Sequence, residues 1–185
     1  MKATEILMEE HRVIERVLNA LENAAERLEQ GLAMNADFFI RATEFIKGFA
    51  DGCHHKKEEG VLFPTMVDYG MPSQSGPIAV MLAEHEQGRI YTRAMRAAAQ
   101  RLLDGDLTAR QELVRNARAY VVLLRQHIAK EDSVLFPMAN QVIPIERQEQ
   151  VAMDFEKVEH EETGEGVHEK YLALAQALEK EFADT

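Results

Sequence analysis

Apolar residues recur along most of the chain at alternating steps of three and four, the period of a helix with one buried face, and no stretch alternates as a strand would. In the first segment Leu7, Ile14, Leu18, Leu21, Ala25 and Leu28 form one stripe, and His11 falls on it. This predicts a helix from about Thr4, as N-cap, to about Gln30, with Gly31 supplying the stop. A second helix begins after Asn35, turns Phe38, Ala42, Phe45, Ile46 and Phe49 inward, and runs to about Tyr69 with Pro64 as a candidate kink. Gly70 to Ser73 read as a loop. A third helix follows from about Pro77 to Leu103, carrying Ile78, Met81, Leu82, His85, Met95 and Leu102 on one side, and Asp104-Gly105-Asp106 turns the chain. The fourth, about Thr108 to Gln141, has Leu113, Ala117, Tyr120, Leu124, His127, Glu131 and Val134 on one stripe. Long helices with short connections predict an all-α protein, an antiparallel up-down four-helix bundle over residues 1–144. Residues 145–185 read as an additional C-terminal helical segment, interrupted near Gly164 and Gly166. Its stripe of Val167, Tyr171, Leu174, Leu178 and Phe182 either lies on the bundle or buries itself in a homodimer.

Composition narrows the setting. The 185 residues suit one sizeable core, and 21 basic against 32 acidic side chains give a net charge of −11. That excess and the lack of a basic stripe argue against nucleic acid as a partner. No apolar run is long enough to span a membrane. Glu5, Glu9 and Glu10 interrupt the first apolar segment, unlike a secretory signal, so the expected location is cytoplasmic. The single cysteine, Cys53, makes no internal bridge and reads as a small buried apolar residue. Residues 146–185 hold 12 acidic and 4 basic side chains, so most of the negative charge sits in the C-terminal segment.

An internal repeat carries the chemistry. Residues 54–64 read HHKKEEGVLFP and residues 127–137 read HIAKEDSVLFP, identical at seven of eleven positions and offset by 73. Glu10-His11 and Glu84-His85 repeat at almost the same offset, each after a Leu/Met pair. Each half therefore has a lone His on its first helix and His-x-x-x-Glu on its second: His11 with His54 and Glu58, then His85 with His127 and Glu131. Residues four apart share a helix face, so His and Glu at that spacing reach one point. Four such helices would bring four imidazoles and two carboxylates to the bundle axis, as in carboxylate-bridged dinuclear bundles. With both glutamates bridging and two His per metal, an octahedral ion keeps positions for other ligands. Aligning the repeats sets His55 opposite Ile128, which makes His55 with Glu59 the weaker pair. Helical projection sets His54 to one side of the Phe38–Phe49 stripe unless drift along a long helix or an irregularity near Asp51-Gly52 turns it inward.

The pattern resembles the hemerythrin-like family of His- and Glu-ligated cation-binding bundles, in its four-His, two-Glu form, over roughly residues 4–141. The resemblance implies that His11, His54, Glu58, His85, His127 and Glu131 hold two non-haem iron ions. It also implies a small diatomic or peroxidic ligand: oxygen, nitric oxide or peroxide, in sensing, storage or stress response. Relatives act in repair of iron–sulfur centres and in response to nitric oxide, which makes an iron donor or peroxide-consuming enzyme the alternative; a zinc or manganese scaffold is a further one. Oxygen carriers of the family have a second His one turn after the third-helix His. Here that position is Arg89, beside Gly88, and the loss of a fifth His weakens the carrier reading. Asp132 matches the carriers' His-x-x-x-x-Asp and competes with Glu131 for the bridging role; the repeat favours Glu131.

Each histidine alone would read as a structural, hydrogen-bonded residue. The order and duplication of all six residues shift that balance toward ligation. Tyr120, two turns before His127, is a core residue or a neighbour of the site. His160 and His168, among Glu156, Glu161, Glu165 and Glu169, read as a solvated acidic face, with His160 the one candidate to reach the bundle as a further ligand.

Overall fold

The structure, a computed structural model, describes residues 2–164 and 166–183, without the side chains of residues 161–163 and 183. Among these residues there are six helices and no strand. α1 is Ala3–Glu29. α2 covers residues 37–68 without a break, although π-helical turns replace α-helical ones over Ile46–His55 and Glu58–Leu62. α3 is Gly76–Leu103. α4 covers residues 109–142 with a π turn at Glu131–Leu135. α5 covers residues 145–163, and α6 is Val167–Ala183.

The boundaries follow local chemistry. α1 ends where Gly31 takes φ +72° and the Leu32 N–H donates back to the Arg27 carbonyl at 3.0 Å, a closure that favours glycine. Thr4, expected as the N-cap, instead lies buried within α1 against Asn140; Glu5 caps the helix by accepting from the Lys2 N–H at 2.8 Å. Pro64 does not end α2. Proline lacks an N–H and its ring presses on the carbonyl four residues back, and a wider preceding turn relieves both. The Phe63 N–H accordingly donates to the Glu58 carbonyl, five residues earlier, and before Pro137 the Phe136 N–H donates to the Glu131 carbonyl.

α1 to α4 bury two apolar clusters. One gathers Leu18, Leu21, Phe38, Phe45, Phe49, Met95, Ala117 and Leu124; the other gathers Leu7, Leu62, Phe63, Met81, Leu135 and Phe136. Each fully buried Phe or Leu contributes on the order of 1.5–3 kcal/mol. On every helix the predicted ligand falls between the clusters: His11 between Leu7 and Ile14, His85 between Met81 and Met95. The centre is thus a polar layer held between two apolar plugs. The C-terminal helices cover the same bundle, with Val151 and Phe155 of α5 in the second cluster and Ala175 and Leu178 of α6 in the first. Tyr171, Leu174 and Phe182 pack against the first cluster, so the α6 stripe lies on the chain's own bundle. No helix among the described residues is long and apolar enough to cross a membrane.

Candidate metal centre

All six predicted residues are buried in the middle layer, and a seventh, His55, joins them. Two groups of donor atoms form, each within 4.8 Å: His11, His54, Glu58 and Glu131 in one, and His55, Glu58, His85 and His127 in the other. Glu58 belongs to both. Its Oε1 lies 3.5 Å from His54 Nε2 and its Oε2 lies 3.4 Å from His85 Nε2. Glu131 Oε2 is 3.2 Å from the Nε2 atoms of both His11 and His127. Both glutamates therefore span the groups, as bridging ligands must.

The lesser role expected for His55 is corrected by the backbone. Neighbours on a regular helix diverge by about 100°, so a single point would accept only one of two adjacent imidazoles. Here the π-helical stretch Ile46–His55 turns the end of that face inward, and there are two points to serve. His54 goes to His11, with ring centroids 4.6 Å apart, while His55 stacks on His85 at 3.8 Å. The fifth imidazole is present after all, supplied from α2 rather than from the Arg89 position on α3.

Every one of the five rings is aimed by a carboxylate. The Nδ1–H groups donate as follows: His11 to Asp132 at 2.7 Å, His54 to Glu10 at 2.9 Å, His55 to Asp51 at 2.9 Å, His85 to Glu59 at 2.7 Å and His127 to Glu84 at 3.0 Å. That bond fixes the tautomer and turns each Nε2 lone pair into the bundle, the arrangement usual behind metal-ligating histidines. Asp132 is thus placed as an orienting group on His11 Nδ1, whereas Glu131 faces the centre. Each carboxylate in turn meets a cation. Asp132 pairs with Arg12, Glu10 with Lys57, Glu84 with Lys130, and Glu59 and Asp51 both with Arg89.

The donor atoms have no other use. His11, His54 and His55 Nε2 and all four oxygens of Glu58 and Glu131 are buried without a hydrogen bond. His85 and His127 Nε2 face each other at 3.1 Å. Buried polar atoms are ordinarily bonded, and the spacings match the ~3 Å edge between ligands bound at about 2.1 Å to one ion. The residues fit a pair of metal ions. Electrostatics agrees. Burial and the Glu131 charge push the Glu58 carboxyl well above its ordinary value, while Glu131, despite its burial, is held well below by His127 and His11. Burial and the nearby His11 push His54 down to about 4. Against the cost of burial, Asp132 and Glu131 raise His11 to about 9, and Glu131 and Glu84 raise His127 to about 9. Without metal the layer balances its carboxylates with protons, and bound cations would displace them.

Other candidates resolve differently. His160 is exposed and is no further ligand. His168 packs against Phe49, with Nδ1 3.7 Å from Glu159. Of their expected acidic neighbours, Glu161 and Glu165 lie outside the described side chains. Glu10, Glu159 and His168 also converge, but the buried Lys57 ammonium already bridges Glu10 and Glu159. Tyr120 is buried with its hydroxyl unbonded. Its ring and Leu124 occupy the room left by Gly88, each 3.6 Å from where a Cβ would stand. Cys53 is buried in the bundle. The sequence reading missed Asp51, Glu84, Lys57 and Lys130 as supports; the repeated Glu-His dipeptides and the shared Lys of the two motifs were the available signals.

Comparison with known proteins adds three findings. Residues 2–139 match the family described as hemerythrin HHE cation binding domain. Uncharacterized proteins of Mycobacterium tuberculosis and Mycobacterium bovis are each 28% identical over 178 residues, which is 96% of this chain and 69% of theirs. The iron-sulfur cluster repair protein YtfE of Yersinia pseudotuberculosis is 36% identical over 89 residues, 46% of this chain and 40% of that protein. No solved structure matches.

Proposed function

The chain belongs to the hemerythrin HHE cation-binding family, and from that premise we propose that it binds two non-haem iron ions and presents them to a small ligand: oxygen, nitric oxide or peroxide. The observation that carries this reading is the convergence of five imidazole Nε2 atoms and two spanning carboxylates, three of those nitrogens and all four oxygens being unbonded and the other two nitrogens facing each other. His55, His85 and His127 would hold one ion, His11 and His54 the other, and Glu58 and Glu131 both. Iron, when bound, supplies one-electron chemistry and coordination positions for the ligand.

The protein residues decide how that chemistry is housed. Three imidazoles and two carboxylates fill five positions of an octahedral ion, whereas two imidazoles and two carboxylates fill four. The His11–His54 side therefore leaves more room for a small ligand. Leu7, Phe63, Phe136 and Phe49 close the layer above and below and keep bulk water out. The five orienting carboxylates hold the Nδ1 protons, so that with metal bound each imidazole would present a neutral Nε2 donor. These features suit sensing, storage or a stress response in the cytoplasm.

A second reading, an iron donor in iron–sulfur cluster repair, is favoured by the local similarity to YtfE. Anaerobic titration of iron-loaded protein with nitric oxide, oxygen and peroxide separates the classes. Reversible spectral change without turnover supports a binding module, sustained consumption supports an enzyme, and iron passing to an acceptor protein supports a donor. No spectral response to any of the three would overturn the small-ligand reading. Zinc or manganese in place of iron would favour the scaffold alternative.

A further inference from the structure

Arg89 belongs to none of the donor groups, yet it is tied to more of one metal position than any other outer residue. Its Nη2 donates to Glu59 Oε1 at 2.6 Å, and its Nε lies 3.5 Å from Asp51 Oδ1. Those same oxygens accept from His85 Nδ1 and His55 Nδ1. One guanidinium, a planar fork able to hold two carboxylates at once, thus anchors two of the three imidazoles of a single position. These imidazoles also stack on each other, so a shift of one ring moves the other. The other orienting carboxylates meet separate cations: Arg12, Lys57 and Lys130. Arg89 further stands where two surface cavities meet, one of about 510 Å³ between α2, α3 and α5 and one of about 780 Å³ between α2, α3 and α6, both lined by Arg89 and Asp51.

Resting on the two-metal reading above, we infer that Arg89 is a positioning residue for the His55–His85–His127 metal position, holding that position assembled while leaving the His11–His54 position independent of it. The side chain that stands at the α3 position of the carriers' fifth imidazole thereby anchors the imidazole that α2 supplies instead.

The test adds ferrous iron anaerobically to metal-free full-length protein and follows the affinity of each equivalent by chelator competition. Arg89→Gln should bind one equivalent as the wild type does and the other about 10–100-fold more weakly, the usual effect of removing an outer support. Arg89→Lys, able to hold one carboxylate, should fall between. Arg93→Gln, one turn along on the same helix and paired only with Glu86, should match the wild type. His11→Ala should weaken one equivalent, and His11→Ala with Arg89→Gln should weaken both. Equal affinities in Arg89→Gln and wild type, or a double variant that still holds one equivalent at full strength, would overturn the inference alone. A wild type that takes up no metal would overturn the centre itself and this inference with it. If Arg89→Gln does not fold, Arg89→Lys supplies the comparison, since it keeps the charge, holds one carboxylate at most and should weaken the same equivalent only.

Discussion

The two halves of the bundle, α1 with α2 and α3 with α4, share one plan and differ at a few positions that decide the character of the centre. Each contributes a lone His, a His-x-x-x-Glu pair and a π turn that begins at the ligand Glu and ends before Phe-Pro. The orienting carboxylates also exchange symmetrically, Glu10 to His54 and Glu84 to His127, Glu59 to His85 and Asp132 to His11. The first half then departs. Where the second has Leu124 and Ile128 in the apolar core, the first has Asp51 and His55 in the centre. Where the second has Val121, the first has Gly48, against which the Tyr171 ring of α6 packs so closely that a Cβ would stand 1.8 Å from it. Lys57 is fully buried between Glu10 and Glu159 of α5; its counterpart Lys130 is 42% exposed and pairs with Glu84 alone. On the two-metal reading, a duplicated helix pair would supply two equivalent metal positions, and the altered half would make them unequal.

The largest effect should come from erasing that difference. His55→Ile gives the first half the residue of the second, and iron analysis should find one tightly held equivalent; two retained with unchanged affinity would return His55 to a packing role. Next is the lysine pair. Removing the buried Lys57 ammonium leaves Glu10 uncompensated in the interior, so Lys57→Met should lower stability by about 3–5 kcal/mol, whereas Lys130→Met should cost ~1 kcal/mol or less. Urea unfolding of the two variants checks this, and equal losses would contradict it. Gly48→Ala should cost about 1–3 kcal/mol through overpacking, and Tyr171→Ala in the same chain should recover part of that loss.

One effect is common to both halves. In metal-free protein His11 and His127 are raised from 6.5 to about 9, so their contribution to stability is complete below pH 6.5 and drains away as pH rises through 9. Melting temperature of the metal-free protein should fall over that window, while metal affinity should increase, because protons no longer compete for the imidazoles.

Much of this was legible in the sequence. Helical periodicity gave the four long helices, because their buried faces are regular outside the π turns. The repeat marked His11, His54, Glu58, His85, His127 and Glu131, because both halves place them at matching positions. His55 was undervalued for the same reason: a residue without a counterpart carries no repeat signal, and α-helical geometry turns it away from His54. Only the wide turn over Ile46–His55, which hydrophobic spacing does not report, brings both rings inward. Glu10 and Arg89 belong to long-range bonds between helices, where spacing along one helix is silent, whereas Asp51 stands one turn before His55 on the same helix and went unread because His55 itself was undervalued.

The central claim is the pair of metal ions held by seven side chains. It is tested most directly by the iron content and near-ultraviolet absorption of protein purified from iron-supplied cells, beside Glu131→Ala. The account predicts about two irons per chain, with a bridged-iron absorption that is lost in the variant. Stoichiometric zinc, or no metal in either protein, would contradict it.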